Sequence, residues 1–320
     1  MAAAISEYWR TRSRIADAVD WIDQALTQPG ADAYPALRVR LLTVKAMALW
    51  DLGRAAEQPP VWAQAEAVAR ALGDPVVLSR ALQPRVSGES LADRVDVAEV
   101  LADEALRSAQ TAGDEWTIAM ATFGKMMAAT TIADLRERTD HAASLLEEVG
   151  NLFFLSNLLA SAAYGAMGLG GDLDAKELVD RAVPIARRLD DPSLWMMVHG
   201  NFGLAALLTG DIEPARHAFR EELRLCRELV VRPFAYEGLS GLAAVAARRG
   251  ETDRAARLAG AASTLHYGAP YAVVEDRLDA TFFEAARASC GTDNWNAAAD
   301  EGAALSFDDA LAYALKEPHA

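Results

Sequence analysis

Histidine, cysteine, lysine and paired carboxylates are the residues whose types could do chemistry, and their spacing supports none. The histidines, His141, His199, His217, His266 and His319, show no HExxH or HxH spacing of the kind that places two imidazoles on one metal. His141 and His217 fall on predicted second helices, where a polar outer face is expected and a solvated imidazole suffices. Lys45, Lys125, Lys176 and Lys316 are the only lysines, and none closes a GxxxxGK[ST] phosphate loop. Gly124-Lys125 comes nearest, but it lacks the first glycine, precedes Met126 and lies within a predicted helix. No GxSxG elbow occurs. Glu147-Glu148, Asp190-Asp191 and Glu221-Glu222 are adjacent pairs, which a helix sends in different directions, so they read as solubility and capping charges. Cys226 and Cys290 lack a CxxC or Cys/His partner and read as reduced packing residues of a cytoplasmic protein. No catalytic residue, metal ligand or cofactor site is expected.

Composition bounds the remaining classes. Acidic residues outnumber basic ones 46 to 31, giving a net charge of −15 and a chain that repels a phosphate backbone. The Arg10, Arg12 and Arg14 cluster is too short to offset this, so direct nucleic-acid binding is not expected. The start, Met1 to Glu7, has no basic region followed by an apolar one, and no uninterrupted 18-residue apolar stretch occurs. The expectation is a cytoplasmic protein that neither spans a membrane nor is exported.

The elements that would position a binding surface appear when turn residues are placed in register. One series reads Gly73-Asp74-Pro75, Gly113-Asp114, Gly150-Asn151, Asp190-Asp191-Pro192, Val231-Arg232-Pro233 and Tyr267-Gly268, about 40 residues apart. A second series falls between: Gly53, Ser87 to Ser90, Thr130 to Asp134, Gly170-Gly171-Asp172, Gly210-Asp211 and Gly250-Glu251. Segments between breaks carry apolar residues at helical spacing, as in Leu204, Leu207, Leu208 and Ala215, Phe219, Leu223. Small residues recur where paired helices must approach: Gly203 and Ala215, then Ala243, Ala255 and Ala262, and before them Ala163, Ala175 and Ala182. Phe219 is the large residue that fills the adjoining groove.

The predicted fold is therefore all-α: a right-handed α-α superhelix of about six tetratricopeptide-like hairpins in a single domain spanning 1–320. Residues 1–30 supply an N-terminal helix over 5–28, residues 31–268 the six hairpins, and residues 269–320 the capping helices. The long cap helix is expected near 270–290 and a short one near 306–316, opened by a Ser306/Asp309 capping box. Departures from the repeat pattern are Glu222, standing where a third small residue belongs, and Val179 and Ala259, which replace the aromatic. Pro59-Pro60 and Pro84 are expected to interrupt helices and make the hairpins around 45–70 and 76–110 irregular.

First helices of such hairpins line the concave face. That geometry nominates Asn157, Ser161, Tyr164, Met197, Asn201, Leu204, Glu237, Ser240 and Arg248 as groove contacts, unless they pack against the neighbouring helix. Trp116 and Trp195 open first helices and are either groove anchors or core.

The opening, Tyr8-Trp9 to Asp20-Trp21-Ile22-Asp23-Gln24-Ala25-Leu26 and then Pro35-Ala36-Leu37-Arg38, resembles the stretch after the ATPase core of bacterial STAND-type regulators. These include LuxR-family ATPase regulators, cyclase-ATPase fusions and Streptomyces antibiotic regulatory proteins. Arg254 to Ala262 and Leu305 to Leu315 resemble the end of the helical-repeat region in the same proteins. The resemblance implies a non-catalytic sensor that takes an effector or partner signal and relays it to an output domain. The chain is then either one region of a larger regulator, contacting its neighbouring domain or a protein partner, or a free-standing receptor for a metabolite or sugar.

Overall fold

A computed structural model describes residues 15–229, 231–265 and 272–316. Among them every regular element is a helix and none is a strand. Among the described residues, helix α1 (Ile15–Leu26) precedes six antiparallel pairs. These are α2 (Pro35–Asp51) with α3 (Gln58–Leu72), α4 (Pro75–Leu91) with α5 (Val95–Ala112), and α6 (Glu115–Met127) with α7 (Ile132–Glu148). Then come α8 (Leu152–Gly168) with α9 (Asp172–Leu189), α10 (Pro192–Leu208) with α11 (Ile212–Leu229), and α12 (Arg232–Arg248) with α13 (Thr252–Ser263). The expected N-terminal helix is seen from Ile15 onward; residues 5–14 and the Tyr267-Gly268 turn lie outside the described residues.

Local chemistry starts and stops these helices. The side chains of Asp74, Asp114, Thr131, Asn151 and Asp191 each accept a backbone N–H of the helix they open. At the turns within the last three hairpins, Gly170, Gly210 and Gly250 take φ of 80°, 92° and 78°. The next residue's N–H then reaches back to a carbonyl of the last turn: Gly171 to Ala166 at 2.8 Å, Asp211 to Ala206 at 2.7 Å, Glu251 to Ala246 at 2.9 Å. The forty-residue sequence beat is this bond repeated.

Two expectations need correction. The turn placed at Ser87 to Ser90 is not there: α4 runs through to Leu91, and the reversal follows at Asp93. Asp93 adopts φ 57° and Arg94 N–H bonds to Glu89 O at 2.9 Å, so the same turn is built on aspartate instead of glycine. Gly88 serves packing, since a Cβ there would stand 2.4 Å from the Trp62 ring. The prolines do not break the helices either. Pro59 and Pro60 occupy the first turn of α3, where no backbone donor is needed. Pro84 lies inside α4, which is packed against α2, α3, α5 and α6.

Each first helix packs against the next first helix, α2 on α4, α4 on α6, and so on to α12, whereas second helices make no comparable contacts with one another. First helices therefore occupy the inside of the curve, and the array is an α-α superhelix. The core runs lengthwise, with one continuous cluster from Ala119 to Ala314. Phe219 is fully buried and fits because Gly203 and Gly241 lack side chains; a Cβ at either would come within 2.6 Å of the ring.

The C-terminal region has one more helix than the sequence shows. An arm of α14 (Ala272–Leu278), a π-helical turn (Asp279–Phe283) and α15 (Glu284–Cys290) is followed by α16 (Thr292–Ala303) and α17 (Phe307–Leu315). Ser306 caps α17, accepting Asp309 N–H at 3.2 Å and donating to Asp309 Oδ2 at 2.6 Å. Helix α16 crosses α13 at backbone contact through Gly260 and Gly302.

Candidate functional site

Four successive first helices shape the larger opening on the inner face. It is a cavity of about 700 Å³ walled by Leu37, Arg40, Thr43 and Val44 of α2, Val77, Arg80 and Gln83 of α4, Trp116, Thr117 and Met120 of α6, and Phe154 of α8. Trp116 stands edge-on to Phe154 with ring centroids 5.1 Å apart. The apolar wall is completed by Leu37, Val44, Val77 and Met120, and among the described lining residues the arginines are the charged ones. Arg80 is oriented by its neighbours: Nε and Nη2 donate to Thr117 Oγ1 at 3.2 and 3.1 Å, and Nη2 to Asp114 Oδ2 at 3.3 Å. Asp114 in turn accepts the Thr117 hydroxyl and Thr117 N–H, and the hydroxyl bond holds its pKa below the ordinary carboxylate value.

A smaller cavity of about 220 Å³ lies at the C-terminal ends of α4, α6 and α8, lined by Ser90, Met127, Leu135, Ser161, Tyr164 and Val274 among others. Val274 belongs to the arm, which comes back across the array. Arg277 donates to both carboxylate oxygens of Asp172 at 2.8 Å and to Met167 O at 2.6 Å, joining residues more than 100 positions apart. Val274, Leu278 and Phe282 are buried in the main core.

The nine nominated residues divide among several environments. Ser161 and Tyr164 line the smaller cavity, and Ser161 donates to Asn157 Oδ1 at 3.2 Å. Met197 is half-buried and its carbonyl accepts Asn201 Nδ2 at 3.1 Å, leaving Asn201 Oδ1 buried without a donor. Leu204 lies in the core and Ser240 is buried, while Arg248 is exposed at the end of α12. Glu237 is buried beside Glu222.

That pair is the most perturbed chemistry in the molecule. Gly200 of α10 makes room for it, because a Cβ there would stand 2.4 Å from Glu222 Oε1 and 2.8 Å from Glu237 Oε1. Both Glu222 oxygens and Glu237 Oε1 are buried with no hydrogen-bond partner. Burial, reinforced by the neighbouring Glu237 carboxyl, raises the Glu222 pKa well above the ordinary range, and burial pushes Glu237 up to about 8. With no cation beside them among the described residues, burial disfavours the charged form of both carboxyls. His199 stacks on Trp195 at 4.7 Å, and desolvation lowers its pKa. His141 and His217 are exposed, and Cys226 and Cys290 are free thiols. Among the described residues no group of three His, Cys, Asp or Glu is arranged to hold a metal ion, and no helix is long and apolar enough to cross a membrane.

Sequence reasoning missed most of the large cavity because it followed the hairpins with the clearest repeat signature, those of α8 to α13. The same rule, first helix inward, applied to 35–51 and 75–91 points to Arg40, Arg80 and Gln83. Trp116 lines the cavity and at the same time packs against the core cluster.

No family model matches the sequence, and no curated protein does. Among solved structures, the chain is similar to a signal transduction ATPase with numerous domains (STAND) protein with a tetratricopeptide repeat sensor from Pyrococcus horikoshii. The match has a TM-score of 0.50 at 16% identity, covering 88% of this chain and 44% of that one. The likeness shows a tetratricopeptide-like fold. The chain spans less than half the length of the protein it matches.

Proposed function

We propose that this chain is the sensing and interaction region of a signalling regulator, binding an effector or a partner segment in the inner face formed by α2, α4, α6 and α8. The observation that carries the reading is the cavity of about 700 Å³ that opens on four consecutive first helices, with a wall suited to holding a molecule and not to moving protons. Arginine is the only ionisable residue type among its described lining residues. Support for the setting comes from the likeness to a STAND chain with a tetratricopeptide repeat sensor and from the family-like ends of the sequence. In a regulator of the LuxR, cyclase-ATPase or Streptomyces antibiotic type, this region follows the ATPase and restrains or releases an output domain. Ser161, Tyr164 and Asn157 extend the inner face from the large cavity toward the arm, and the remaining nominated residues with solvent access continue it.

A free-standing receptor for a small metabolite is the second reading, favoured by the cavity volume, which falls within the roughly 300–1,000 Å³ of small-molecule sites. Both readings place the contact on the same wall. A thermal-shift screen of metabolites and peptides on the wild type and on Met120→Glu tests it. Selective binding to the folded state raises Tm, and the introduced carboxylate removes that rise if the cavity is the site. A ligand that stabilises both proteins equally places its site elsewhere.

A further inference from the structure

The arm lies on the inner face as a bound helix would. Val274, Leu278 and Phe282 recur every four residues along it and are buried in the main core, and α14 rests against α8. Arg277 adds the polar contact, donating to both Asp172 oxygens and to Met167 O near the C-terminal end of α8. An apolar stripe with one flanking charge, laid across helices, is also how a groove recognises an amphipathic helix from another protein. The arm fills its place incompletely. Val274 borders the smaller cavity of about 220 Å³, which Gly165 and Gly168 of α8 also line. A Cβ at Gly168 would meet nothing within 4 Å. Leu169, on the same cavity, and Leu173, next to Asp172, stay exposed. Packed interiors seldom leave such space. The charge is one-sided too: Asp93 is the one charged residue among the described lining residues, and Asp172 is the acid that meets Arg277.

From this imperfect fit we infer that the surface under α14 is a docking groove for a partner's amphipathic helix, and that the arm is its internal competitor. The partner helix presents an apolar stripe with an arginine beside it, and at the position of Val274 it carries a longer apolar side chain that enters the cavity. The arginine takes the place of Arg277 on Asp172 and Met167 O, a charge-assisted contact that fixes register as well as affinity. The arm and the partner exclude one another, so the partner binds by shifting the arm from docked to released. The inference concerns a surface apart from the large cavity and does not depend on what that cavity holds.

A fluorescent peptide of residues 272–286, titrated into the intact chain and read by anisotropy, is the probe. The tethered arm competes at an effective concentration on the order of millimolar, so the wild type is expected to bind the peptide weakly. Arg277→Ala in the chain weakens the arm and leaves Asp172 for the peptide's own arginine, so affinity is expected to rise at least about tenfold. Asp172→Asn also weakens the arm but removes the arginine's partner, and no such rise is expected. On the Arg277→Ala chain, a peptide that itself carries Arg277→Ala should lose about tenfold, and one that carries Val274→Met should bind more tightly. The same ranking of peptides on the wild type, at higher concentration, keeps the test if a chain variant does not fold. Equal affinity of the wild-type and Arg277→Ala chains, a rise on Asp172→Asn equal to that on Arg277→Ala, or peptide binding indifferent to positions 274 and 277 would overturn the inference. A wild-type dimer that Arg277→Ala dissociates would make the occupant the arm of a second copy, and overturns it as well. Met120→Glu lies in the other cavity and is expected to leave these affinities unchanged, so failure here and failure of the large-cavity reading are distinguished.

Discussion

At the scale of single residues, the most consequential feature is the departure from pattern at Glu222. The repeat calls for a small residue there, and the sequence marks the exception without explaining it. The explanation lies on the flanking helices: Gly200 and Gly238 surrender their Cβ positions, and the carboxyl fills that space beside Glu237. No spacing rule joins 200, 222, 237 and 238, so the pair was illegible from sequence. Its consequence is a pH dependence of definite sign. Glu237 titrates near 8 in the folded chain against an ordinary value of 4.5, so its neutral form stabilises the fold fully below the ordinary value. That contribution is lost as pH rises from about 5 toward 8. Glu237→Gln keeps the shape and cannot ionise. Urea denaturation should show it about as stable as the wild type at pH 5 and more stable at pH 8, by on the order of 3 kcal/mol. Equal stability at pH 8 would mean the pair is charged and solvated. Glu104 works in the opposite sense: the hydrogen bond from Arg70 lowers its pKa, and its contribution fades as pH falls. A stability maximum between the two limits follows.

At the scale of helices, boundaries were legible wherever the chain used glycine or Asp-Pro to turn, and illegible where Asp93 did the same work. Proline does not mark a break in either place, because the first turn of α3 needs no donor and α4 holds Pro84 among four neighbouring helices. The small-and-large code was legible in Gly203 and Phe219, and its energetic content is testable. Phe219→Ala should leave a cavity between α10, α11 and α12 and cost about 3–5 kcal/mol in denaturation experiments. Gly260 and Gly302 make a stricter demand. A Cβ at either would sit 1.9 Å from a backbone oxygen, of Ala299 and Arg257 respectively, so only a shift of α16 against α13 can relieve it. Gly302→Ala should lower stability by about 3 kcal/mol and release the last two helices to proteolysis before the hairpins yield. The sequence passed over α16 altogether, since Thr292 to Ala303 carries a short, alanine-rich face whose partner is known only once α13 is placed.

For the whole molecule, the inner face is unevenly used. Around α2 to α8 it opens into the large cavity, whereas farther along the arm returns over it and is pinned by Arg277 to Asp172 and Met167. The ion pair is half-buried and bidentate, which makes it stronger than a surface bridge. Asp172→Ala should loosen the arm, seen as faster amide exchange over 272–290, without altering exchange in α2 to α6. Sequence periodicity located the inner face correctly as that of the first helices, but the curvature and the returning arm depend on contacts 100 residues apart, beyond the reach of any local pattern. The central claim is that ligands enter through the first four hairpins. Hydrogen exchange of the intact chain, with and without a ligand found by thermal shift, tests it most directly. The account predicts protection concentrated at 36–44, 77–83 and 116–120, with the region from 197 to 248 unchanged. Protection confined to 197–248 would contradict it and return the site to the second half of the array.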